Sequence, residues 1–143
     1  MLKDLLLNPT LWDRCRLVAG DERRLFALVD ACCKISVRCR EKGLLAANAG
    51  GAVDGLPEPI GQAAFRMVEE GWPPEFIEET CCSALLTTPA SGADLVAMLV
   101  GIKAALMIMR GEETKQVRVA LSAIAGGARV LAAQSGEWRL LRS

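Results

Sequence analysis

The run LVAMLVGIKAALMIM, residues 95–109, constrains the fold more than any other stretch of this chain. Asp94 opens it, Arg110 closes it, and Lys103 lies past its middle. A bilayer span needs about 20 predominantly apolar residues, and a lysine at that depth is costly in lipid. A helix that is apolar on nearly every side must then be covered by protein. The run therefore predicts a central helix with other helices around it and no membrane span, with Lys103 reaching water along its aliphatic stem. With 143 residues, 52% of them apolar and 24% charged, the chain has material for such a core, and one domain is expected over 1–143.

The punctuation along the chain is helical. Asn8-Pro9-Thr10 opens a short helix, with Thr10 and Asp13 at capping-box spacing. Asp21-Glu22 supply acids for the first turn of a second helix, and Gly43 fits the position just past its end. Within it Leu25, Leu28, Cys32, Ile35 and Cys39 form one apolar stripe. Residues 47–58 are Gly-rich without periodicity, which predicts a loop or sub-boundary. Pro59 then opens a helix with Ile60, Ala64, Met67 and Val68 on one face, ended by Gly71. Trp72-Pro73-Pro74 makes a tight corner into a helix over residues 75–86, with Phe76, Ile77, Cys81 and Leu85 expected inward. The result is an acidic helical hairpin, 59–86. Ser91 and Asp94 are placed to cap the apolar helix, Gly111 to end it, and Glu112-Glu113 to start a last helix that Gly136 closes. No sustained alternation of period two occurs and aromatics are only 4%, which fits poorly with a sheet. The expectation is an all-α bundle of five to six helices around the buried apolar one.

Composition closes most catalytic routes. The chain has no His and no Tyr, so imidazole bases, imidazole metal ligands and phenols are all missing. The six cysteines (15, 32, 33, 39, 81 and 82) include two adjacent pairs and no Cys-x-x-Cys, a poor zinc pattern. With no secretory signal at the start, they read as reduced core thiols of a cytoplasmic protein. Cys81-Cys82-Ser83 follows Glu78-Glu79, and carboxylates beside a thiol raise its pKa, which is wrong for a nucleophile. Glu75, Glu78 and Glu79 share a helix side without the alternating oxygens and Gly turn of a calcium loop. Gly50-Gly51 and Gly126-Gly127 lack the Lys and Ser/Thr of a phosphate loop, and the second pair suits a close helix crossing. No enzyme activity, cofactor or metal is expected. Basic residues are scattered with few aromatics between them, so no nucleic-acid surface is expected either.

Charge is balanced overall and segregated along the chain. Residues 1–50 hold nine Lys/Arg against six Asp/Glu, residues 51–100 one against eight, and residues 101–143 seven against three. The acidic middle either docks on basic helices of the same domain or presents an acidic surface to a basic partner. A faint echo pairs Ala27-Leu28 and Gly43 with Ala120-Leu121 and Gly136, 93 residues on.

From Arg40 the chain reads REKGLLAANAGGAVDGLPEPIGQAAFRMVEEGWPPEFIEETC. This resembles the cytoplasmic segment of the MotA branch of the MotA/TolQ/ExbB proton-channel family, the flagellar stator proteins, over residues 40–82. Arg40, Gly43, Leu44, Leu45 and Ala46 match its first part, Met67, Glu70 and Gly71 its second, and Glu75, Phe76 and Ile77 its third. Asn48 stands where the family has Glu, and the two membrane helices that follow in the family have no match, so ion conduction is not implied.

The resemblance implies a soluble relative that meets the rotor's switch-complex protein through Arg40, Glu70 and Glu75 around the Trp72 corner. The acidic run adds Glu69, Glu78 and Glu79 to that candidate face. Trp72 is either its anchor or a staple between two helix ends. The functional expectation is a non-enzymatic protein–protein interaction module, cytoplasmic or at the inner face of the membrane, with a basic protein partner. The alternative is an unrelated adaptor or a self-associating scaffold, a homo-oligomer with Met98, Leu99 or Trp72 near its interface.

Overall fold

The computed structural model describes residues 2, 14–18 and 20–133, with side chains as far as residue 126. It is all-α, with no strand among the described residues. The helices are α1 (Asp21–Lys42), α2 (Pro59–Glu69), α3 (Pro74–Thr87), α4 (Gly92–Met109) and α5 (Thr114–Ala133). Two 3₁₀ turns, Leu44–Ala46 and Ala49–Gly51, sit between α1 and α2. The short first helix expected at Asn8-Pro9-Thr10 and the closing Gly136 lie outside the described residues.

Helix α4 lies at the centre, as its composition requires. Fourteen of its eighteen residues are buried, among them Leu95, Met98, Leu99, Ile102 and Leu106. Each large aliphatic chain removed from water contributes about 1.5–3 kcal/mol, so this helix is the main source of core burial. Lys103 is only half-buried, consistent with a head that reaches water. Met98 and Leu99 are 6% and 3% exposed, so the self-association surface suggested for them does not exist in this fold.

The α1 stripe is buried as expected, Leu25, Leu28, Cys32, Ile35 and Cys39 all facing inward. Helix α1 packs on both α4 and α5. Asp30 of α1 pairs with Arg118 of α5 at 2.6 Å, and Ser36 Oγ meets Thr114 Oγ1 at 2.9 Å. The Gly-rich loop is sewn into the same core: Ala47, Val53 and Leu56 are buried. Asn48 Oδ1 accepts the backbone N–H groups of Val53 and Asp54, and Gln62 Nε2 donates to Leu56 O at 2.6 Å.

Arg24 marks the end where α1, α2 and α4 begin. Its guanidinium donates to Glu58 Oε1 at 2.8 Å and to Asp94 Oδ1 at 2.6 Å. Acids before α2 and in the first turn of α4 suit the positive ends of those helices. Asp94 therefore serves Arg24 and does not complete a capping box, and the N-cap Ser91 makes no side-chain cap bond. At the opposite end Arg40 donates to the carbonyls of Gly111 and Glu112, at 2.9 and 3.2 Å, just past the end of α4. Arg14 does the same past α3, reaching Thr88 O at 2.6 Å and Ala90 O at 3.0 Å.

Helices α2 and α4 make the most extensive packing in the fold, and glycines allow it. A Cβ added to Gly101 would lie 2.9 Å from Gly61 Cα, and one added to Gly61 would lie 3.5 Å from Gly101 Cα. Gly61 and Gly101 are 40 residues apart, and the same step relates the two hairpins α2–α3 and α4–α5. Every buried residue of the first hairpin has a buried counterpart 40 positions later: Gly61/Gly101, Ala64/Ala104, Phe65/Ala105, Val68/Ile108, Ile77/Val117, Cys81/Leu121, Cys82/Ser122 and Leu85/Ala125.

The turns match as well. Gly71 and Gly111 have φ of 80° and 74°. Gly71 N donates to Val68 O and Trp72 N to Met67 O, just as Gly111 N donates to Ile108 O and Glu112 N to Met107 O. Both are Schellman endings, where the left-handed glycine lets two carbonyls be satisfied. The repeat in the fold thus runs at 40 residues. The 93-residue echo reflects only two long helices, α1 and α5, that pack side by side.

Candidate functional site

The corner between α2 and α3 is built by the α2 ending and by Pro73-Pro74. Pro73 is extended and Pro74 occupies the first turn of α3, where a missing N–H costs nothing. This geometry turns Trp72 outward. Its indole Nε1–H donates to Glu70 Oε2 at 2.8 Å, and its ring stacks on Phe76 at 5.0 Å between centroids and 25° between planes. Trp72 is 44% exposed and Phe76 45% exposed. The indole is therefore neither sealed nor a buried staple.

Phe76 is not inward, against the expectation for it, whereas Ile77, Cys81 and Leu85 do face the core. The signal is present in the sequence: Phe76 continues at helical spacing into Thr80, Ser83 and Thr87, a polar stripe. One aromatic at the head of a polar stripe is a surface residue.

The seven candidate residues divide in use. Glu78 is committed internally, accepting the backbone N–H of Leu2 at 2.8 Å and lying 3.8 Å from Arg110. Arg40 is exposed yet serves as a cap on the α4 ending, so it is a stabilising residue as well as a surface cation. Glu69 is half-buried, and its Oε1 is enclosed without a hydrogen-bond partner among the described residues. Glu70 holds the indole. Glu75 and Glu79 are exposed, and among the described residues neither side chain forms an ion pair or hydrogen bond. The structure thus joins Glu70, Trp72, Glu75 and Glu79 with Phe76 at one corner and assigns Arg40 and Glu78 to internal contacts.

Neighbouring features add little chemistry. A groove of ≈ 340 Å³ runs beside Cys39, Arg40, Leu44 and Glu112. Leu45, in the turn after α1, is 83% exposed. All six cysteines are free. Burial pushes the Cys32 thiol up to about 12 and those of Cys81 and Cys82 up to about 11. Burial also raises Cys15, Cys33 and Cys39, the last with help from the Glu69 carboxylate. Thiols held protonated in this way are poor nucleophiles at neutral pH. Among the described residues no group of three or more Cys, Asp or Glu is placed to hold a metal ion.

Compared with known proteins, the chain matches no family model, no curated protein and no solved structure. One helix among the described residues, α4, is long and apolar enough to cross a membrane, and most of it is buried inside the bundle.

Proposed function

We propose that the chain is a non-enzymatic interaction module that docks a protein with a basic surface at the α2–α3 corner. One observation carries this reading: two aromatic rings stacked at the surface beside carboxylates that no cation among the described residues neutralises. Aromatic side chains at the centre of a polar rim are the usual anchors of interfaces. Rim charges of one sign govern encounter rate and salt dependence more than affinity. The association is accordingly weak, fast and salt-sensitive.

The matches at Arg40, Met67, Glu70, Gly71, Glu75 and Ile77 support a stator-like cytoplasmic module, with a rotor switch-complex protein as the partner. In this reading α4 is a core helix, and the module works in the cytoplasm at the inner face of the membrane. Burial of all but four residues of α4 supports its place in the core.

The test is binding of the purified chain to the switch-complex protein of the same organism. The dissociation constant should rise at least about tenfold between about 50 and about 300 mM salt, as screening of exposed charges requires. Glu75→Lys with Glu79→Lys should weaken binding by a similar factor at unchanged thermal stability. An affinity indifferent to both changes overturns the proposal.

A further inference from the structure

The two hairpins provide an internal control for what the fold itself requires. They share a buried register and an identical turn, so residues at matching surface positions experience the same backbone. At the positions of Trp72 and Phe76 the second hairpin carries Glu112 and Gln116. The turn and the helix start form equally well with those polar residues, so nothing in the hairpin needs two rings there. Charge is inverted in the same way: Glu70, Glu75 and Glu78 correspond to Arg110, Lys115 and Arg118. Neither the aromatic pair nor its acidic surround is dictated by the fold.

We propose that the Trp72–Phe76 stack receives an arginine or lysine side chain of a polypeptide partner, held among Glu70, Glu75 and Glu79. The assignment rests on the reading of this corner as a docking face and names the group that docks. An exposed aromatic face attracts a cation through its quadrupole, most strongly for an indole. Glu70 fixes the indole through the 2.8 Å bond and brings a carboxylate to the ring edge. Glu75 and Glu79 stand within one turn of Phe76, and their side chains have no partner among the described residues. A second copy seated face to face would bring these glutamates against one another, and like charges across an interface disfavour it. The complementary occupant is a cationic segment.

The test uses the full chain and a labelled deca-arginine peptide, read by fluorescence anisotropy at about physiological ionic strength. The key variant gives the first hairpin the residues of the second, Trp72→Glu with Phe76→Gln. It adds a negative charge, so simple charge attraction predicts tighter binding. The stack predicts weaker binding, by about threefold or more. Thermal unfolding of the variant should match wild type, and Phe76→Tyr should retain binding.

Equal or tighter binding of the swapped variant overturns the proposal, and so does its failure to fold, which would make the rings structural. Concentration-dependent dimerisation that Trp72→Glu abolishes also overturns it, by naming a second copy as the occupant. If the swap has no effect while Glu75→Lys with Glu79→Lys abolishes binding, the docking face stands and only the stack loses its role. If neither change matters, both readings fall.

Discussion

Replacing Gly101 with alanine tests the packing logic of the whole bundle, because the structure gives two effects of opposite sign. In a helix interior alanine is favoured over glycine by about 1 kcal/mol. Against that, the new methyl would lie 2.9 Å from Gly61 Cα and 3.9 Å from the Gly61 N and C atoms. All three are backbone atoms, so no side chain can swing away, and α2 must separate from α4. Inserting a methyl into a close-packed site costs about 1–3 kcal/mol. Moving the two helices apart also loosens the rest of the α2–α4 seam, which puts this site at the upper end of that range.

The net expectation is a loss of about 1–2 kcal/mol. At about 2 cal/mol/K of unfolding entropy per residue, that lowers the melting temperature by about 3–6 °C. Gly61→Ala is the matched control. Its methyl would sit 3.5 Å from Gly101 Cα, an ordinary contact. Because Gly61 lies in the first turn of α2, the propensity gain there is small and the variant should stay within about 0.5 kcal/mol of wild type. Urea unfolding of both variants, with m-values compared, separates the effects. Gly101→Ala as stable as Gly61→Ala would show that the two helices are not locked at this crossing.

Two further perturbations follow from buried ionisable groups. Burial holds the Glu58 carboxyl above the usual glutamate range, with the nearby Asp94 charge adding to the effect. Just above pH 4.5 the folded state then binds more protons at this site than the unfolded state. Stability from this group therefore falls as pH rises through that window. Glu58→Gln should flatten that segment of a melting-temperature profile, and an unchanged slope would remove Glu58 as its source. With thiols pushed up to about 11 or 12, Cys32, Cys81 and Cys82 should resist iodoacetamide at neutral pH and react only on unfolding. Rapid labelling of Cys81 or Cys82 in the native protein would reopen thiol chemistry at the hairpin.

The helices are legible in the sequence because their signals are local. Asp21-Glu22 and Gly43 bracket α1, Pro59 and Gly71 bracket α2, and the apolar run can be satisfied only by burial on all sides. The partners of charged groups are not legible, because they join residues far apart in sequence. Arg24 finds Glu58 and Asp94, and Arg40 finds the α4 ending, across separations that no local pattern encodes. The site is half legible. The Trp72 corner and its acids follow from composition and turn chemistry, whereas Phe76 reads as inward because its neighbour Ile77 is, one helical step of about 100° away. The 40-residue repeat is hidden because only Gly61, Ala64, Met67 and Gly71 recur identically in the second hairpin. What repeats is burial and turn geometry, and both become visible only once the chain is folded.

That repeat also shows how two like corners come to differ in the contacts of their charged groups. Strict symmetry would pair Glu78 with Arg110 and, equally, Arg118 with Glu70. The first pair is present at 3.8 Å, whereas the second is replaced. Arg118 turns to Asp30 of α1, and Glu70 is left to bind the Trp72 indole. The cause is α1, which packs along the second hairpin and whose Arg40 donates to the carbonyls of Gly111 and Glu112 at the second corner. One helix added to a pair of like hairpins thus ties down the carbonyls of one turn, while the other keeps its two rings outward. The two turns share one backbone and differ in what they present: Trp72, Phe76 and glutamates at the first, Glu112, Lys115 and Gln116 at the second.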